Sequence, residues 1–234
     1  MPEQSPSCGT ITSGIAGNTL IERTLNFVRD ELPKWRDDPT RPVEESEERL
    51  NAQLCKYLIV AARRNFPMIY FSHEEKQTGR RRVDISASPS EGILVGAAYH
   101  SIYVPFIVFE GKRLPTPKGQ PNRTREYVTG GNEKSGGIQR FKLGLHGAQH
   151  KIAAMVGYIQ EGELRDWFKN INCWIDDLAK TPDLDGEKWT PNEQLIDFIE
   201  DIAKRIAYCS SLHPRTGKVV SNTIQLQHLW VNMK

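Results

Sequence analysis

The sequence predicts an α/β fold: a mixed central β-sheet flanked by helices, with N-terminal helices and a C-terminal helix plus β-hairpin. The chain has 234 residues, enough for one large globular domain. Hydrophobic residues make up 38% and charged residues 26%, as in ordinary folded proteins. Segments with apolar residues at helical spacing alternate with short apolar runs, and this alternation is typical of α/β domains.

Residues 1–17 are rich in Ser, Gly, Thr and Pro, so we expect a flexible N-terminal arm. Residues 18–234 are then expected to form a single domain. Within it, the core should span about 43–160 and a C-terminal extension about 161–234. No internal repeat interrupts this arrangement.

Two helices are expected first. Pro33 should end the first helix, and Pro42 should lie in the first turn of the second, at about 43–64. Glu47 lies on the apolar stripe of that second helix, where a carboxylate is costly unless it is paired or binds a metal. Alternatively, Glu47 lies at the exposed end of the stripe. The apolar positions that define the two helices are Ile21, Leu25, Val28 and Leu32, then Val43, Leu50, Leu54, Leu58 and Ala61.

The strands of the core follow. Apolar runs at 66–71 and 81–87, joined by a polar loop, indicate a β-hairpin. The run 101–112 is the most apolar, and its paired part should begin at Pro105 or Phe106 because proline cannot donate to a sheet ladder. Between these runs, residues 91–100 are expected to form a short strand or a packed loop.

The segment 113–137 is dominated by Pro, Gly and basic residues, and we interpret it as a mobile loop over the site. After it we expect both helices and strands. The helices are a short one starting in 137–144, an amphipathic one at 162–180 and another at about 192–205; the strands are 153–160 and a terminal pair, 206–213 and 222–231.

Charge is unevenly distributed, although the net charge is only +2. Residues 112–151 carry nine Lys or Arg against two acids, whereas residues 161–204 carry twelve acids against five bases. This separation suggests that one face meets an anion, although a basic stretch alone is usually a solvated loop.

The four cysteines contain no CxxC pair, which argues against a zinc site and, in a cytosolic protein, against disulfides. There is no run of eighteen apolar residues and no signal-peptide pattern. We therefore expect a cytoplasmic protein without a membrane partner.

The candidate chemistry is carried by Asp84, Glu110 and Lys112. Asp84 interrupts an apolar strand, and Glu110 and Lys112 follow another with only Gly111 between them, so both project from the same strand face. Two carboxylates suit Mg²⁺ or Mn²⁺, and a lysine can position a water or stabilise developing charge. The alternative is an ordinary buried ion pair of Asp84 with Lys112, which would leave Glu110 in need of a partner.

Asp84 followed by Glu110-Gly-Lys112 resembles the pattern of the PD-(D/E)XK, or restriction-endonuclease-like, nucleases over residues 43–160. The resemblance implies that Glu47 completes the metal site and that Gln139 orients Lys112 or the substrate. Val83 departs from the family's proline. The spacing between Asp84 and Glu110 also requires an insertion, expected around residues 88–102.

A second acid-x-Lys sequence ends at Lys76, and we set it aside because it is expected to fall in the polar hairpin loop. Ser210, His213 and Arg215 could contact phosphate from the C-terminal hairpin, or could belong to ordinary turn structure.

The resemblance implies a Mg²⁺-dependent DNA endonuclease, with Mn²⁺ as a possible substitute and a 5′-phosphate product. By analogy, it also implies a restriction or antiviral (anti-phage) defence role, a homodimer or higher oligomer, and a possible partner subunit. The alternatives are a non-catalytic nucleic-acid-binding module of the same fold and an RNA-directed nuclease. Contacts with the nucleic acid are expected from Arg81, Arg82, Arg113, Lys118, Arg123, Arg125, Arg140, Lys142 and His146.

Overall fold

A computed structural model describes residues 17–77, 81–95, 98–117, 123–181 and 187–234. It has an α/β fold in which helices cover both faces of a seven-stranded mixed sheet. The predicted fold class is confirmed at this level. No helix in the described part of the chain is long and apolar enough to cross a membrane.

The helices are α1 (Gly17–Arg36), α2 (Glu47–Asn65), α3 (Gly137–Lys142) and α4 (Leu164–Lys180). The expectation that Pro33 ends α1 is wrong, because the helix continues to Arg36 and the buried Trp35 packs against Tyr158. The expected start of α2 at residue 43 is also wrong. Ser46 caps the helix by accepting from the backbone of Arg49.

The sheet has the order β1-β2-β5-β6-β9-β8-β7, and β3 pairs with β4 in a separate hairpin. Strands β5, β6 and β9 run parallel to one another, and the other neighbours are antiparallel. The strands are β1 (Ile69–Lys76), β2 (Arg82–Pro89), β3 (Ile93–Val95), β4 (Ala98–His100), β5 (Ile107–Leu114), β6 (Ile152–Ile159), β7 (Ile196–Asp201), β8 (Ile206–Pro214) and β9 (Thr223–Asn232).

Two segments form strands where the sequence predicted otherwise. The helix expected at 192–205 is wrong: this segment contains a 3-10 turn (Pro191–Glu193) and the edge strand β7, which pairs with β8. The polar loop expected after residue 71 begins later, because β1 extends to Lys76 and pairs with Arg82 of β2. The second acid-x-Lys sequence therefore lies in a strand, and its expected position in the polar hairpin loop is wrong.

The core has two parts, one on each face of the sheet. Helices α1 and α2 pack over one face, and α3 and α4 over the other. Tyr127 and Val128 are buried in the second part, so the expectation of a mobile loop is wrong for this stretch. The backbone carbonyls of residues 126–128 accept the N–H groups of residues 137–139, which joins this stretch to the start of α3.

Candidate active site

The site forms where β2 and β5 separate. Their ladder ends at the pair Ile85 and Phe109, and beyond it the Oδ2 atom of Asp84 accepts the backbone N–H of Gly111 at 2.7 Å. A side chain at position 111 would collide with Asn51 of α2, since a Cβ there would lie 1.8 Å from the Asn51 Oδ1 atom. Glycine at this position thus permits the close approach of α2 to β5.

Lys112 is enclosed by carboxylates. Its Nζ atom donates to Glu47 Oε1 at 2.5 Å and lies 3.5 Å from Glu110 Oε1. Glu47 is the first residue of α2, and its second oxygen accepts the backbone N–H of Arg113 at 3.1 Å. The structure therefore brings Glu47 to the site, and the ion pairs of Lys112 are with Glu47 and Glu110 rather than with Asp84.

Glu110 is only 1% exposed and contacts two further basic groups. Arg140 of α3 donates to its Oε1 atom at 2.7 Å, and Nδ1 of His146 lies 3.0 Å from its Oε2 atom. None of the described donors, His146 included, is aligned with Glu110 Oε2 for a hydrogen bond. Sequence reasoning missed both contacts.

The two carboxyl groups titrate in opposite directions. Burial and the charge of Glu110 raise the pKa of Asp84 well above its usual value, against Lys112 and the Gly111 N–H. Burial would also raise the pKa of Glu110, but Lys112, His146 and Arg140 outweigh it and lower the pKa to about 2. The ionised form is therefore favoured at Glu110 and disfavoured at Asp84.

Lys112 is held in its charged form. Burial would lower its pKa, but Glu47, Glu110 and Asp84 outweigh that effect and raise it. A lysine held in this way cannot take a proton at physiological pH. It can stabilise negative charge that develops next to it.

The carboxyl groups of Asp84 and Glu110 are suited to bind a divalent cation. Asp84 forms no ion pair among the described residues, and a cation bound beside it would favour its ionised form further than Lys112 does. Within the described ranges, no group of three or more His, Cys, Asp or Glu is arranged to hold a metal. Mg²⁺ is usually bound through one or two carboxylates and keeps several waters, so Asp84 and Glu110 are a suitable pair.

Gln139, expected to orient Lys112 or the substrate, is buried among backbone groups. Its oxygen accepts the N–H groups of Gly130 and Gly136, and its amide donates to the carbonyl of Gly131. These bonds hold the turn ahead of α3 in place. Gln139 therefore supports this turn, and its orientation of Lys112 or the substrate stays a prediction.

Two of the residues expected to contact nucleic acid are buried instead. His146 is 1% exposed and faces Glu110, and Lys142 pairs with Glu193 inside the protein. Both expectations are wrong, because α3 and the loop after it turn these side chains inward. Arg140 is partly buried and engaged with Glu110.

The remaining basic candidates lie nearer the surface. Arg81 and Arg82 are exposed, and Arg113 is half-buried. Arg123 and Arg125 form ion pairs with Glu126 and Asp177. Such partly exposed pairs are weak and leave the guanidinium groups able to meet another anion. Lys118 lies outside the described residues.

Comparisons with known proteins found no matching family model, no matching curated protein and no matching solved structure.

Proposed function

We propose that the protein is a metal-dependent nuclease that hydrolyses phosphodiester bonds in DNA. The observation that carries this proposal is the buried pair Asp84 and Glu110 beside Lys112, which is held in its charged form. A buried carboxyl group with a raised pKa, beside a second carboxyl group that stays ionised, is typical of a functional site.

The topology supports a restriction-endonuclease-like core. Helix α2 is followed by the antiparallel strands β1, β2 and β5, then by the short α3 and by β6 parallel to β5. The small hairpin of β3 and β4 lies between Asp84 and Glu110 in sequence, where the resemblance requires an insertion.

The roles of the side chains follow from their surroundings. Asp84 and Glu110 would hold Mg²⁺, or Mn²⁺ in its place, and the bound ion would supply Lewis acidity and a more acidic water. Lys112 stabilises negative charge on the phosphate oxygens, and Glu47 keeps the ammonium group in position. Arg140 and His146 compensate the charge of Glu110.

The wider setting is proposed by analogy with nucleases of this class. It comprises a cytoplasmic enzyme, a homodimer able to cut both strands, and a role in restriction or antiviral defence. The exposed arginines Arg81 and Arg82 would contribute phosphate contacts.

The test is cleavage of plasmid DNA, single-stranded DNA and RNA with Mg²⁺ or Mn²⁺, with EDTA as a control. Lys112→Met removes the buried charge, and the matched control Lys76→Met alters the exposed lysine of the second acid-x-Lys sequence. We expect wild type and Lys76→Met to cut DNA, and Lys112→Met to lose about 100-fold or more in rate, as when a charge-stabilising donor is removed.

Cleavage that survives Lys112→Met would contradict the site, provided that circular dichroism shows a folded variant. Cleavage of RNA but not of DNA would contradict DNA as the substrate and identify the protein as an RNA-directed nuclease. Binding of DNA without cleavage in either metal would favour the non-catalytic module.

A further inference from the structure

A continuous chain of polar side chains runs through the core on the side of α3. Glu193 accepts from His213 Nδ1 at 2.9 Å, and Ser211 Oγ lies 2.7 Å from His213 Nε2. On its other side, Ser211 Oγ lies 2.8 Å from His228 Nε2. The chain continues through Tyr127, whose hydroxyl is 2.8 Å from His228 Nδ1, to Trp230, whose indole N–H donates to that hydroxyl at 2.8 Å. All of these side chains are buried.

The two ends of this chain fix its direction. The indole of Trp230 can only donate and the ionised carboxylate of Glu193 can only accept. With both imidazole rings neutral and one proton on each hydroxyl, every bond is satisfied in a single arrangement. Tyr127 then donates to Nδ1 of His228, His228 donates from Nε2 to Ser211, Ser211 donates to Nε2 of His213, and His213 donates from Nδ1 to Glu193.

This arrangement requires both histidines to be neutral and in opposite tautomers. Burial lowers the pKa of His213, and lowers that of His228 to about 3, which agrees with neutral rings. The groups that face them are Glu193 and Lys142 on one side and the Tyr127 hydroxyl on the other.

Ser211, His213 and Glu193 have the connectivity of a nucleophile, a base and an orienting acid. Ser211 is, however, only 2% exposed, and its oxygen also accepts a hydrogen bond from His228. These features favour a positioning role over covalent catalysis.

Two members of the chain are attached to α3: Glu193 at one end, and Tyr127 next to the other end. Lys142, the last residue of α3, pairs with Glu193, and the carbonyl of Tyr127 accepts the backbone N–H of Ile138 at 3.1 Å. Arg215, which directly follows β8, donates to the carbonyls of Phe141 and Gly147. The same helix presents Arg140 to Glu110.

We propose that Ser211 is a positioning residue for the candidate active site, whose hydroxyl completes a one-directional hydrogen-bond chain that fixes α3 and holds Arg140 against Glu110. The consequence for catalysis rests on the proposed nuclease function. The chain itself does not, and it can be tested without any substrate.

The first test is ¹⁵N NMR of the histidine rings in the full-length protein. The inference requires His213 to carry its proton on Nδ1 and His228 on Nε2. Identical tautomers, or a charged ring on either residue at neutral pH, would overturn it.

The second test compares Ser211→Ala with Ser211→Thr, which keeps a hydroxyl, and with Thr223→Ala, which removes an exposed hydroxyl from the neighbouring strand β9. We expect Ser211→Ala to shift the Arg140 Nε–H resonance and to lower kcat by about tenfold with little change in KM, as for residues that orient a site indirectly. Ser211→Thr should restore both readouts, and Thr223→Ala should change neither.

A Ser211→Ala protein that keeps the wild-type Arg140 resonance would overturn the inference, as would a Ser211→Thr protein that behaves like Ser211→Ala. A wild type without nuclease activity would contradict the proposed function, and the two NMR readouts would still decide the positioning role. The wild-type tautomers remain decisive even if Ser211→Ala does not fold.

Discussion

Asp84 accepts a 2.7 Å hydrogen bond from the backbone N–H of Gly111, the residue that follows Glu110. The bond holds the Asp84 carboxyl beside Glu110 without giving it a cationic partner among the described residues. Glu110, by contrast, lies next to Lys112, Arg140 and His146. This difference explains the opposite pKa shifts of the two carboxyl groups.

Asp84→Asn should stabilise the metal-free protein near neutral pH. The pKa of Asp84 is raised in the folded state. As the pH rises above 3.8, the carboxyl group therefore ionises in the unfolded chain before it ionises in the folded protein. The free energy of unfolding falls over this range, until the pH passes the pKa of the folded state. Thermal unfolding over a pH series should show a melting temperature a few degrees above wild type near neutrality, with no gain below pH 3.8.

The matched control for Asp84→Asn is Asp166→Asn, on the exposed side of α4. It should leave the melting temperature unchanged. A lower melting temperature for Asp84→Asn than for wild type near neutral pH would contradict the account of the buried carboxyl.

Glu110→Gln should have the opposite effect on stability. The pKa of Glu110 is about 2 in the folded state and 4.5 ordinarily, so its stabilising effect is complete above pH 4.5 and disappears as the pH falls towards 2. The variant should lose free energy of unfolding on the order of 3 kcal/mol near neutrality. Urea unfolding at several pH values would measure the loss, and a loss that does not depend on pH would argue against this ion cluster.

Glu47→Gln should weaken both stability and cleavage, because it removes the charge that accepts from Lys112. We expect a cost of about 1–3 kcal/mol in the free energy of unfolding, the usual penalty for weakening a buried hydrogen-bonded group. Glu48→Gln is the matched control, since both residues lie in the first turn of α2 and share its helix dipole. Equal effects of the two variants would show that Glu47 stabilises only the start of α2 and contributes nothing through Lys112.

The sequence predicted the parts of the site that follow from local pattern. Glu110 and Lys112 come directly after an apolar run, within what the structure shows as β5. The position of Glu47 on a helical stripe left two alternatives open, an inward-facing carboxylate and an exposed helix end. The apolar spacing also predicted a helix at about 43–64, and the structure begins this helix later, at Glu47. Alternation and helical spacing are properties of short segments, so one sequence is sufficient to read them.

The contacts of Arg140 and His146 with Glu110 could not be predicted in this way. They depend on how α3 and the following loop pack onto β5, some 30 residues away in sequence. The spacing of apolar residues around Ile196 and Ile199 also suits a helix. Pairing with β8 decides in favour of a strand, and such pairing is not a local property.

The most direct test of the central claim is the binding of Mn²⁺ to the full-length protein, followed by electron paramagnetic resonance, for wild type and Asp84→Asn. We predict that wild type binds Mn²⁺, that Mg²⁺ displaces it, and that Asp84→Asn weakens binding by at least about tenfold, as expected for the loss of one charged ligand interaction. Absence of Mn²⁺ binding by wild type, or equal binding by Asp84→Asn, would contradict a metal site formed by Asp84 and Glu110.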